Sequence, residues 1–541
     1  MPALCRLRTY LPLISFFIIV TGFVIYKQQH LRLPCFWDEA WSYAPAVSYM
    51  YKNGLGLLPG TIPPDMARGH PLLFYFLAAT WAKLFGNTIF SLHVFSLAVS
   101  VSLLSVVYYL GSRISAIAGV AAVMLLCVQP VFLAQAGLLL PEVLLTLFVL
   151  LSLACWLNEN NPGFILSATC LLLTKESGII FLIALGVWIA AENIMLERDT
   201  GFSAKKLFSG IGLISVPFIF ASLYFIIQKV QYGWFFYPEH VAFIKLDWHS
   251  FKQNYWECHK YLFEDHSRKP LTVGFLIITI SFWKELKFSE RLLISFGILA
   301  VTKIFAERWP LPENLELIAL PMLLAMLYHK FFFRMYGADK WKGRFIGISA
   351  LFAILFLSFS AVNFLSIRYL LCTFPLFLLT ALIFTREAIL SRIVNPRQSG
   401  FLLLLLAAAC SVNILRNINK PNDVRDDNLN FAGGIKVQQD IVRFFKDNHL
   451  NDRLIYGTFL NEVNLTKPEA GYISEQDTFL VDGLIHDNTE YFIFTNIEES
   501  PFYNVRKKAN VELIKRIEHG KARAEIYRKN NADEARTVKQ D

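Results

Sequence analysis

A chain of 541 residues that is 55% hydrophobic and only 17% charged, with a mean hydropathy of +0.44, is too apolar to fold as a soluble protein of this length. Its formal charge of +9 is uneven: residues 421–541 hold 17 Lys+Arg against 21 Asp+Glu, so the basic excess lies in the first 420 residues. That pattern is a topology signal and excludes a nucleic-acid footprint, which leaves a polytopic membrane protein.

The first apolar stretch, Tyr10 to Tyr26 behind Arg6 and Arg8, has the basic start and apolar core of a signal peptide. No small-residue cleavage site precedes the next loop, so the stretch reads as a retained anchor with its N-terminus in the cytoplasm. Residues 36–50, "FWDEAWSYAPAVSYM", then set Asp38 and Glu39 among aromatics. Acidic side chains beside lipid are costly, so chemistry or solvent must hold them there. Residues 71–86 are apolar but short, bounded by Pro71 and Gly86. Loop charge places this segment half-buried at the interface within a long first external loop, 30–89. That register gathers Arg113, Lys205, Lys206, Arg386, Arg392 and Arg397 on the cytoplasmic side.

Further spans are expected at about 90–111, 115–133, 138–157, 162–177, 178–193, 207–229, 271–284, 290–306, 314–330, 345–362, 369–385 and 400–415, roughly thirteen in all with the first. A second large external loop falls at 231–270. An odd number of spans that begins in the cytoplasm puts the polar tail outside. In that tail "IKVQQDIVRFFKDNHL" has helical spacing, "RLIYGTF" and "EYFIFTN" read as strands, and "VELIKRIEHGKARAEIYR" turns about His519-Gly520 as a hairpin. The fold class is therefore an all-α polytopic membrane module over residues 1–420 with a small extracytoplasmic α/β domain over 421–541. Cys35 and Cys258 both fall in external loops and are either a disulfide or two free thiols. No cysteine or histidine spacing marks a metal site, and the need for a divalent ion is left open.

With this topology Asp38, Glu39, Arg68, His70, Glu142, Lys175, Glu176, His240, Lys245, Arg308 and Arg368 all lie at or beyond external span ends. Each has an ordinary reading. The acidic pair can cap a helix, Glu142 after Pro141 can mark a helix start, and Lys175 can snorkel to the headgroups. A shared external site explains them together. A transporter or flippase is the alternative, and it would use charges near the bilayer midplane and paired broken helices.

The ordered set "FWDEAW", "RGHPLLFYFLAATWAKLFG", "AQAGLLLPEVLLTLF", "LLLTKESGIIFL", "WFFYPEHVAFI" and "RYLLCTFPLFLL" resembles the GT-C superfamily of polytopic glycosyltransferases that use lipid-phosphate sugars. The branch it is most similar to contains the protein O-mannosyltransferases and the lipid A aminoarabinose transferase. The resemblance covers roughly residues 1–420. It implies that Asp38 is the catalytic base or orients the acceptor, with Glu39 as its companion. By the same resemblance His70-Pro71 matches a step near the donor phosphate, Lys175 a Thr-Lys step, Glu142 an acidic residue after the third span, and Arg368-Tyr369 an Arg-Tyr-Leu-Leu step. Arg68 and Lys245 join the donor-phosphate candidates, and His240 is a further site candidate. His93 stands where relatives often carry an arginine.

The implied partners are a polyprenyl-phosphate sugar donor, a saccharide, lipid or protein acceptor, and membrane lipids, in a multi-pass inner (plasma) membrane protein. The chemistry suits the residue types. A sugar leaving from a phosphate needs no strong general acid, so one carboxylate to take the acceptor proton and several cations suffice, with inversion at the sugar carbon.

Overall fold

The computed structural model describes residues 2–196, 203–263, 332–390, 395–498 and 511–530, with isolated positions between 288 and 295. Helix starts follow from short polar caps. Thr88, Ser115, Asn160, Ser203 and Asp339 each accept a main-chain N–H in the first turn of the helix they precede. Seven helical stretches among the described residues are long and apolar enough to cross a membrane: Tyr10–Gln28, Ile89–Ile114, Glu176–Ile194, Ala204–Tyr232, Lys340–Val362, Ile367–Glu387 and Gln398–Arg416.

Three helices where spans are expected are shorter: Ala116–Cys127, Glu142–Leu157 and Asn161–Thr174. Twelve residues at about 1.5 Å each reach only about 18 Å, so Ala116–Cys127 continues across Gln129 as a second short helix, Pro130–Gln135. The expected spans at 271–284, 290–306 and 314–330, and Arg308 with them, lie outside the described residues but for isolated positions. Among the described residues, seven helices are thus long and apolar enough to cross, against the thirteen spans expected over the whole chain.

Ile89–Ile114 and Ala116–Cys127 form a hairpin whose two backbones nearly touch. A Cβ added at Gly111 would come within 2.7 Å of Gly119 Cα, so both positions need glycine, as small residues allow in membrane helix pairs. The short segment after Pro71 forms the helix Leu73–Phe85, which packs on Ala44–Asn53 and not as an independent crossing.

The tail forms a five-stranded sheet of order β2-β1-β3-β5-β4. Strand β1 (Leu454–Tyr456) is parallel to both β2 (Leu480–Asp482) and β3 (Tyr491–Thr495), while β3 pairs antiparallel with β5 (Ala522–Lys529) and β5 with β4 (Val511–His519). The amphipathic helix Phe431–Asp447 covers the β4–β5 hairpin. The tail is fastened to the first loop. Cys35 N donates to Ala470 O at 2.9 Å, Tyr472 OH donates to Cys35 O at 2.9 Å, and Phe431 meets Phe36 with centroids 6.2 Å apart. The first loop and the tail therefore share one face of the molecule. Cys35 and Cys258 are both free thiols, which settles that pair against a disulfide.

Candidate active site

Strained backbone marks the site before any side chain does. Four non-glycine residues among those described have positive φ, and two of them, Trp37 and Arg68 (both 49°), flank it in the first loop. Gly69 follows at φ 72°, where a Cβ would also lie 3.0 Å from Tyr237 Cβ, so "RGH" can turn here only with glycine.

Asp38 begins a π-helical turn, Glu39–Tyr43. Its Oδ1 accepts from Trp41 Nε1 at 2.9 Å, and its Oδ2 accepts from Arg368 Nη2. Arg368 enters from the 3₁₀ turn Ile367–Thr373 and is 5% exposed. Its second terminal nitrogen, Nη1, donates to Asp426 of the tail, and its Nε lies 3.6 Å from Glu142 Oε1. Glu142 in turn accepts from Lys175 Nζ at 3.0 Å, and that ammonium sits 4.0 Å from the Tyr369 ring centre. Three carboxylates and two cations from five places in the chain thus form one connected network. Burial pushes the Asp38 carboxyl up, but the charge and hydrogen bond of Arg368 outweigh it and hold Asp38 below the usual carboxylate range.

A cavity of about 220 Å³ opens beside this network. Its lining combines polar residues, Asp38, Arg68, His70, Lys175, Glu176 and His240, with the rings of Phe243, Phe356, Phe359, Phe364 and Tyr369. His70 Nδ1 is 2.9 Å from Glu176 Oε2, and the His70 and His240 rings lie 5.0 Å apart. Burial, aided by the neighbouring His70 charge, holds His240 down at about 3. Arg68 lies 4.5 Å over Trp41 and pairs with Glu239 at 2.7 Å. His70, Glu176 and His240 present ligand-capable atoms within 4.8 Å of one another, as do Cys35, Glu39 and His93. The second set is sealed in the interior, whereas the first faces the cavity.

Of the residues singled out in the sequence, Asp38, Arg68, His70, Lys175, His240 and Tyr369 meet in this cavity, with Arg368 and Glu142 immediately behind it. Two do not join them. Glu39 turns the other way into the core, where its carboxylate meets His93 Nε2 at 2.7 Å and the main-chain N–H groups of Leu139 (2.6 Å) and Phe36 (3.1 Å). Successive residues of a helical turn point in different directions, so one acidic residue of the pair reaches the cavity and the other cannot. Lys245 is exposed and outside the lining, and its main-chain N–H donates to Val362 O at 2.8 Å. Sequence reasoning missed Asp426. It lies in "NDVRDDNLN", which reads as a polar linker, and no local signal distinguishes it.

No protein-family model matches the chain, and no curated protein matches it in sequence. Among solved structures, the crystal structure of ArnT from Cupriavidus metallidurans bound to undecaprenyl phosphate is similar at 12% identity and a TM-score of 0.39, over 97% of this chain and 98% of that one. The apo state of the same protein is similar at 12% identity and a TM-score of 0.37, with the same coverage. A likeness of this degree carries nothing about chemistry. The class rests on the chain itself: a polytopic helical membrane module whose first loop is joined to a C-terminal α/β domain.

Proposed function

We propose that this protein is a membrane glycosyltransferase. It moves a sugar from a polyprenyl-phosphate donor to a glycan, lipid or protein acceptor of the cell envelope on the external face, with inversion. The observation that carries this reading is a single cavity lined both by Asp38, Lys175, His70 and Arg68 and by the rings of Phe243, Phe356, Phe359, Phe364 and Tyr369. Sugar and phosphate need the polar groups. The isoprenoid needs the apolar ones, because each methylene drawn into water costs about 0.8 kcal/mol.

In this reading Asp38 takes the acceptor hydroxyl's proton as the sugar's anomeric carbon leaves the phosphate oxygen, and the freed lipid phosphate keeps the bond's electron pair. Lys175 and Arg68 hold that phosphate by charge and His70 by a hydrogen bond, and these preorganised groups stabilise it as the bond breaks. Arg368 has both terminal nitrogens on carboxylates, those of Asp38 and Asp426, and serves to orient Asp38. Glu39 anchors the loop. Transport is the weaker reading, because the charged groups gather where helices end and do not lie along the middle of the spans.

Binding tests the donor half. Purified protein should bind undecaprenyl phosphate, and Lys175→Met should weaken that binding at least tenfold, whereas equal binding by both forms contradicts the assignment.

A further inference from the structure

Asp38 has two donors, and each is braced from the C-terminal domain. Arg368 is held at Nη1 by Asp426 while Nη2 reaches Asp38. Trp41, the other donor, packs edge-on against Phe459 with centroids 5.5 Å apart. Asp426 is itself pinned, for it is 9% exposed and its main-chain oxygen accepts from Gln135 Nε2 at 2.7 Å.

Docking of the tail does not explain a carboxylate at this point. Main-chain bonds at Cys35 and apolar contact between Phe36 and Phe431 already join tail and loop. Burying one more charge is expensive and adds little to stability. What Asp426 changes is Arg368. A guanidinium left to itself forks onto both oxygens of a carboxylate. With Asp426 on one terminal nitrogen, Asp38 receives a single N–H from Arg368 and its other oxygen is free to meet Trp41.

We propose that Asp426 is a positioning residue of the Asp38 site: it divides Arg368 between two carboxylates, keeps Asp38 a stronger base, and makes the C-terminal domain part of the active site. The proposal rests on the reading of Asp38 as the base. The charged and titratable groups around Asp38 come from every element packed about it: Arg68 and His70 from the first loop, Glu142 behind, Lys175 and Glu176 from one side, His240 across the cavity, and Arg368, Tyr369 and Asp426 from the other. Asp426 is a like charge on the same guanidinium, and its removal lowers the proton affinity of Asp38.

The test uses the full chain, with carbodiimide labelling of Asp38 read by peptide mass spectrometry across pH. Asp38 is accessible to it, with 30% of its side chain exposed. Asp426→Asn keeps shape and hydrogen bonding, and it should move the half-labelling pH of Asp38 down by roughly one unit. Turnover should fall, and the acid limb of its pH profile should move down, with the donor KM unchanged. Phe459→Ala removes the other brace and loosens the Trp41 bond, so it should move half-labelling the opposite way, upward. An unchanged Asp38 half-labelling pH in both folded variants overturns the proposal. An upward shift in Asp426→Asn overturns it too, since it means that Asp426 strengthens the hold of Arg368 on Asp38 and does not divide it. If the labelling shifts occur but wild type transfers no sugar, the coupling stands and the transferase reading fails.

Discussion

Asp38 and Glu39 are neighbours in sequence and serve opposite environments: Asp38 meets Arg368 at the cavity, while Glu39 is fully buried against His93. The two carboxylates therefore separate by experiment. Asp38→Asn should cut transfer by about 10²- to 10⁴-fold, the usual weight of a general base, and lower the unfolding temperature only modestly, by the lost pairing with Arg368. Glu39→Gln should leave the folded fraction active and cost about 1–3 kcal/mol of stability, because it disturbs a buried carboxylate with three donors. The reverse outcome would move the base to Glu39.

Arg368 holds three carboxylates together, those of Asp38, Glu142 and Asp426. Arg368→Met leaves them facing one another with Lys175 as the remaining cation in the network. The expected cost is about 3–5 kcal/mol, read by thermal or denaturant unfolding of the purified protein. A loss under about 1 kcal/mol would mean that water reaches the network and the charges are screened.

Asp427, beside that network, gives a pH signature. Burial, then the charges of Asp426 and Asp423, push its carboxyl up to about 7, against an ordinary value of 3.8. The folded state therefore binds the proton more tightly than the unfolded chain, and Asp427 makes stability fall as pH rises from about 4 through about 7. Asp427→Asn should raise the unfolding temperature at pH 8 and leave it unchanged at pH 4. A gain that is equal at both values would point to packing and not to charge.

Topology follows from contact as well as from loop charge. The tail binds the first loop directly, so reporters fused after Asn53 and after Asp541 should report the same side, and the basic-loop argument makes that side external. Opposite signals from the two fusions would be incompatible with the bond between Cys35 and Ala470.

The parts of this architecture legible in the sequence are those written in local patterns. Among the described residues, the seven long apolar helices, the helix Phe431–Asp447, strands β1 and β3 and the hairpin at His519-Gly520 lie where periodicity places them. Strand β2 did not show. It is a three-residue edge strand, Leu480–Asp482, too short to carry an alternation. The apolar runs at 115–133, 138–157 and 162–177 showed hydrophobicity but not length, because Pro130, Pro141 and Lys175 interrupt the helices there. At the site, the order of polar residues pointed to Asp38, His70, Lys175 and Arg368. Asp426 was illegible because its role comes from a contact across 58 residues to Arg368, and through it to Asp38 across a further 330. Glu39 misled for the opposite reason, since adjacency to Asp38 suggested a shared role that the turn's geometry divides.

The proposed sugar transfer to an envelope acceptor depends on Asp38. The most direct test is mass spectrometry of envelope glycans, lipids and proteins from a deletion strain complemented with wild type or with Asp38→Asn. One acceptor should lack a single sugar in the deletion, regain it with wild type, and stay unmodified with Asp38→Asn present at normal level in the membrane. Full restoration of that sugar by Asp38→Asn would contradict it.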